Sequence, residues 1–441
     1  MKNRLLLLIL LAFMPCLLPA QVTSWAGHVG STDAYVPGRS IVRSWGDHHL
    51  VVYYEDSTLS GAPRSLSLVD VNGFTSYFTI TGITQTVSLM SAVTLQDMCI
   101  EENYLFFCGS YNPSGGGIYG WADLSTSPVA YGYCMVDDTI CNSLDKLAVK
   151  KVNDKFALYA IGSRQVPATS VIVYNEDALT SGAIEYAELN DISHIQREIL
   201  DDVTITNNVA VFAGRDMRIN QVTMRCIPMG AHLTAPVLST LNMLSEAALP
   251  LTSTVHATAV RGDTVALTYV RGGNDVCMLC FCVADAPVSI VNGHHVTSIS
   301  GLTMDIADVA YVRHSGQLAL LWPTSGPMSL ILMLHPLETT VPYTTQALQN
   351  REKIYGSLDA LGLSSIAVWG SKGFGLQNCT VPLNVGSTNS CMVPVEPTVL
   401  GYGVSTGILI DVPEVKYATS LVQVLTATLS PSAATKTCER P

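Results

Sequence analysis

With 441 residues, of which 48% are hydrophobic and 13% charged, the chain has ample material for a large core and is excluded from the intrinsically disordered class. Its net charge of −12 repels polyanions and excludes a nucleic-acid binder that works through a basic surface. No internal apolar run reaches the roughly 18 residues of a membrane helix, and 7% aromatic residues do not supply the girdles of a membrane barrel.

The first predicted element is a secretory signal over residues 1–20. Lys2 and Arg4 precede an apolar run from Leu5 to Met14, and the small residue Ala20 stands before Gln21. Cleavage there takes the net charge from −12 to −14 and places the product in the periplasm, on the outer surface or outside the cell. Pro15 before Cys16 argues against a lipid anchor. Eleven cysteines remain, so at least one thiol has no partner within the monomer. Cys134 with Cys141, and Cys379 with Cys391, are close enough in sequence to staple a loop, although spacing alone establishes neither pair. Cys277, Cys280 and Cys282 lie in an apolar strand and read as core filler, not zinc ligands.

From Ser40 to Val399 a pattern recurs. Short apolar strands begin near Leu50, Leu105, Phe156, Val209, Val265, Leu318 and Ile366, about 53 residues apart, each after a polar turn. A third strand follows each: RSLSLVDV, GIYGWADL, SVIVYN, QVTMRCI, VCMLCFCV, MSLILML and LQNCTVPL. Strands of this length without a helical period predict an all-β protein. The spacing is close to the roughly 40–50 residues of propeller-blade repeats. The expected fold is a seven-bladed β-propeller with four-stranded antiparallel blades over residues 21–399, followed by closing strands and a mobile tail over 400–441. In that tail Gly407–Val412 and Leu421–Leu429 read as strands. One of them, or the segment from Val22 to Val36, is expected to complete the terminal blade.

Repeat period and strand order over residues 40–399 resemble the β-propeller superfamily. The Ala20-Gln21 junction and the strand ends FFCGS and VFAGR are similar to those of exported seven-bladed propellers of Bacteroidetes bacteria. That resemblance implies a fold and an exported location, and no activity. WD40, kelch and sialidase repeat signatures are absent from the sequence.

On such a ring two sets of loops share one face. Ahead of the first strands stand Asp97, Asp145, Asp202, Asp308 and Asp359, with His256 in the fifth repeat. Asp97, Asp202 and Asp308 are candidate oxygen ligands for a calcium ion in the channel; the plainer reading is that each carboxylate bonds its own turn. The second-to-third loops carry Arg64, Arg164, Arg215, Arg218, Arg271 and Lys372 beside Tyr111, Asp216, Trp322 and Phe374. Guanidinium groups and aromatic faces suit an anionic glycan or an acidic peptide, so Arg64, Arg164, Arg215, Arg218, Arg271 and Trp322 are the candidate ligand residues.

Two function classes follow. One is a non-enzymatic binding or scaffold protein with a glycan or protein ligand, without nucleic acid or a membrane span. The other is a carbohydrate-active hydrolase or lyase using two of the clustered acids, for instance Asp202 and Asp308, as acid and base. Acids that recur at equivalent places behave as structural residues, which favours the first class, with no catalytic residue assigned.

Overall fold

The computed structural model describes residues 23–28, 40–55, 64–74, 78–87, 93–111, 115–165, 168–180, 184–189, 198–216, 221–233, 254–271, 275–284, 289–298, 306–314, 316–323, 329–337, 344–350, 356–362, 365–370, 374–377 and 406–411. The expected signal segment, Cys16, Arg218, Lys372, Cys379, Cys391 and the strand at Leu421–Leu429 lie outside them. Among the described residues every element is a strand.

In chain order, β1 (Thr23–His28) comes first. The first sheet follows with β2 (Ser40–Trp45), β3 (His49–Glu55), β4 (Arg64–Phe74) and β5 (Phe78–Val87). The second contains β6 (Val93–Glu101), β7 (Tyr104–Tyr111), β8 (Gly116–Asp123) and β9 (Ala130–Met135). The third contains β10 (Ser143–Val152), β11 (Lys155–Gln165), β12 (Ala168–Asn175) and β13 (Glu185–Glu188), and the fourth β14 (Glu198–Ile205), β15 (Val209–Asp216) and β16 (Gln221–Pro228). The fifth contains β17 (His256–Ala259), β18 (Thr264–Arg271), β19 (Asp275–Cys282) and β20 (Ser289–Ser298). The sixth has β21 (Asp308–Val312), β22 (Gln317–Pro323), β23 (Ser329–Pro336) and β24 (Thr344–Asn350). Then come β25 (Gly356–Leu361), β26 (Ser365–Gly370), β27 (Phe374–Gln377) and β28 (Thr406–Asp411).

All pairings are antiparallel. The seventh sheet has the order β25-β26-β28-β1, so both ends of the described chain close it. Here two sequence expectations are corrected. β28 takes the third-strand place in the last repeat, and β27, which holds Leu376 and Gln377 of the run LQNCTVPL, adds outside β24 as a fifth strand of the sixth sheet; the rest of that run lies outside the described residues. Nor does a single terminal segment complete the sheet, since β1 and β28 pair with each other along their whole length. Strand number also varies, with three described strands in the fourth sheet and five in the sixth.

The first strands β2, β6, β10, β14, β17, β21 and β25 touch one another in that cyclic order, and β25 returns to β2. The result is an all-β, propeller-like ring of antiparallel sheets. Each of the seven apolar runs read from the sequence is the strand next to the first one in its sheet. Their continuous hydrophobicity has a simple cause: both faces are covered. Phe106 packs into the core between the second and third sheets while its neighbour Phe107 packs into the core against the first. Tyr159 and Phe212 share the next core, and Leu267 and Ala266 serve the two after that.

Two local rules shape the inner strands. The β10–β11 turn is two residues long, with Asn153 (φ 50°) and Asp154 (φ 63°) both left-handed, the geometry that tight hairpins demand and that Asn and Asp tolerate. The glycines in FFCG and VFAG face a bulge in the first strand. A Cβ on Gly109 would lie 2.0 Å from the Thr94 carbonyl oxygen, and one on Gly214 2.0 Å from that of Ile199.

Candidate functional site

A first strand has a sheet partner on one side only, so its other edge presents unpaired backbone groups. Buried without partners, each would cost about 1–3 kcal/mol. Carboxylates of the preceding sheet meet that need. Asp97 accepts from the Leu147 N–H at 3.4 Å, Asp202 from Ala257 at 2.9 Å, Asp308 from Leu358 at 3.1 Å and Asp359 from Ser44 at 2.7 Å. The other three interfaces are bridged differently. The Arg43 Nε–H donates to the Met98 carbonyl at 2.7 Å, and the Leu200 N–H donates to Ser170 Oγ at 3.1 Å. His256 Nε2 meets the Ile306 carbonyl at 2.9 Å; a carbonyl only accepts, so this nitrogen carries the hydrogen. Every neighbouring pair of sheets is thus joined by a side chain.

Arg43, on β2, is the hub. Its guanidinium lies 3.0 Å from Asp97 and 3.4 Å from Asp308, which also accepts from Ser357 Oγ at 2.6 Å. Burial works against the charged guanidinium, but Asp308, Asp97 and Asp359 outweigh it and raise the Arg43 pKa. Lys146 is raised mainly by Asp97, 4.0 Å away, with Asp202 and Asp308 assisting against burial. Burial pushes Asp202 up despite Lys146 and His256, and pushes Asp359 up despite Arg43. At Asp308 burial is overcome by Arg43, Lys146 and the Ser357 and Leu358 bonds, so its pKa is lowered.

These groups line a cavity of about 880 Å³ bounded by all seven first strands. It runs from the carboxylate level to the first-to-second turns, where Gly46, Asn207, Gly262 and Gly362 border it. Cys99 also borders it, but burial raises its pKa, so the thiol stays protonated and is a poor nucleophile. The lining suits a small polar molecule with both donors and acceptors.

Several sequence expectations change here. The acids are not ahead of the first strands but in them: Asp97, Asp202 and Asp359 are mid-strand and Asp308 is the first residue of β21. Nor do they mainly bond their own turns; their partners lie about 50 residues on or across the ring closure. Asp97 and Asp308 already hold a cation, Arg43. Among the described residues no group of three or more His, Cys, Asp or Glu side chains is placed to hold a metal ion, so the residues present do not fit a calcium site.

Arg64, Arg164, Arg215 and Arg271 do lie at one end of their sheets, where second strands end and third strands begin. That end is opposite the turns bordering the cavity, and neither Arg164 nor Arg215 lines it. Arg164 is held by Glu188 at 2.9 Å. Arg215 makes a bidentate pair with Asp201 at 2.9 and 3.0 Å. Arg64, Arg271 and Trp322 are placed by their strands alone. Cys134 and Cys141 are free thiols, not a staple, while Cys277, Cys280 and Cys282 are buried and Cys282 is disulfide-bonded.

Arg43 and Lys146 were missed as site residues. Their signal was a charged residue inside an otherwise apolar first strand, IVRSW and LDKLAV, because a buried charge requires a partner.

No protein-family model and no curated protein matches the chain. Among solved structures it is similar to Sqt1 from Chaetomium thermophilum, at 9% identity over 90% of this chain and 100% of that one, with a TM-score of 0.47. It is also similar to a structure described in work on two prolyl endopeptidases, at 8% identity over 82% of this chain and 49% of that one, with a TM-score of 0.44. Among the described residues no helix is long and apolar enough to cross a membrane.

Proposed function

We propose that this chain is an exported, non-enzymatic binding or scaffold protein built as a seven-bladed propeller on a four-stranded blade plan. The observation that carries this reading is the commitment of the recurring acids. Asp97, Asp202, Asp308 and Asp359 each hold a backbone N–H of the next sheet, so their recurrence follows from ring construction and requires no reaction. The ligand face is the end bearing the second-to-third loops. Arg164 and Arg215 bring Glu188 and Asp201 with them, which makes this face mixed in sign. An anionic glycan or acidic peptide there would be recognised by the arginines of these loops, of which Arg218 lies outside the described residues.

One observation favours the hydrolase or lyase reading. Asp202 and Asp308 line the same cavity with pKa values moved in opposite directions, the separation an acid–base pair needs. Binding of the purified protein to glycan and peptide arrays, run beside a turnover screen on acidic polysaccharides, decides between them. The binding reading expects retained ligand and no turnover. Turnover that disappears in folded Asp202→Asn and Asp308→Asn variants overturns it.

A further inference from the structure

The outer rim of the second sheet carries an unusual strand. β9 is outermost in the order β6-β7-β8-β9. Its residues Tyr131, Tyr133 and Met135 are 62%, 52% and 37% exposed, three of the four large exposed hydrophobics among the described residues. They alternate, so they share one face. The Val136 N–H donates to the Gly117 carbonyl on β8. Counting back along an antiparallel ladder, the backbone N–H and C=O of residues 131, 133 and 135 point away from β8. One edge therefore combines outward backbone groups with an apolar stripe.

We infer that this edge is a docking site for an extended, basic peptide segment of a partner protein, added antiparallel to β9 as a fifth strand. Three observations commit it to that occupant. The molecule already uses the mode itself, since β27 pairs outside β24 over Ala347–Asn350. Charge selects a cation: from Gly115 to Asn142 the chain has Asp123, Asp137 and Asp138 and no Lys or Arg. Asp137 is exposed and its pKa is lowered by hydrogen bonds from Thr139, which keeps it ionised. The same charges disfavour a second copy of this chain, because antiparallel self-pairing would set Asp123 of one copy near Asp137 and Asp138 of the other. Main-chain bonds would supply affinity, and the tyrosines would choose apolar side chains at alternate positions.

This site is separate from the loop face and the cavity and does not depend on what either binds. The probe is a labelled synthetic peptide alternating Lys with Val and Tyr, compared with its Glu counterpart, by fluorescence anisotropy and by mapping amide shifts. The Lys peptide should bind and move the β9 amides, and the Glu peptide should not. Tyr133→Pro removes an outward donor and should weaken binding about tenfold or more; Tyr131→Ser with Tyr133→Ser, which keeps the backbone, should weaken it as well. No binding of the Lys peptide to the wild-type protein, equal binding by both variants, or a wild-type dimer dissolved by Tyr133→Pro would each overturn the assignment. Array ligands of the loop face should be unaffected by either variant.

Discussion

The inner and outer rims of this ring face the same physical problem and meet it in opposite ways. Each is a row of strand edges. At the inner rim the edges are buried, and Asp97, Asp202, Asp308 and Asp359 take up the backbone donors of the neighbouring sheet. At the outer rim, among the described residues, no strand pairs with β9 beyond β8, and its Tyr131 and Tyr133 are exposed. Polar groups out of reach of water must be paired at once, whereas an edge in water can wait for a partner. Construction is therefore concentrated at the axis, and availability for binding at the periphery.

The contrast is broken most severely at Arg43. Replacing it with Ala removes the guanidinium between Asp97 and Asp308 and leaves these buried carboxylates with Lys146 as the nearby cation, and denaturant unfolding should register a loss of about 3–5 kcal/mol. Next comes Gly214→Ala, whose Cβ would meet the Ile199 carbonyl oxygen at 2.0 Å; overpacking of this kind should cost about 1–3 kcal/mol by the same measurement.

Two acids of the inner rim sharpen the comparison through pH. The folded-state pKa of Asp308 is lowered, so its stabilisation is present above the unfolded value and is lost as pH falls through the folded one. The cost of Asp308→Asn should be full at neutral pH and shrink in acid. Asp202 is raised: its ionised form opposes folding above the raised value, and that penalty fades as pH falls through it. Asp202→Asn still offers an acceptor to the Ala257 N–H, and should be favourable relative to Asp308→Asn at neutral pH, with the difference closing in acid. Parallel pH profiles for the two variants would contradict the assigned shifts. The smallest effect belongs to the outer rim, where Tyr131→Ser should change stability by no more than about 0.5 kcal/mol.

Much of the ring was legible in the chain because its causes are local. A second strand buried on both faces must be continuously apolar, as FALYAIG and VAVFAG are, and tight turns must carry residues such as Asn153 and Asp154. The seventh sheet was less legible, since β26 and its partner β28 are separated by residues 371–405, and nothing local to LQNCTVPL shows that β27 belongs to β24. Among the site residues the acids were visible as a recurrence, but their partners were not. Arg43 and Asp308 are 265 positions apart and meet only because the ring closes. In the sequence the loop arginines look like available cations because Glu188 and Asp201, which hold Arg164 and Arg215, lie on other strands of the same sheets.

Hydrogen exchange at single amides tests the central claim, that side chains at the axis tie each sheet to the next, with carboxylates doing so at four of the seven junctions. The N–H groups of Ser44, Ala257 and Leu358, bonded to Asp359, Asp202 and Asp308, should exchange only with unfolding of the ring, while those of Tyr131 and Tyr133 on the open edge should exchange fast. Rapid exchange at Ser44, Ala257 and Leu358, at the rates of the β9 edge, would contradict it.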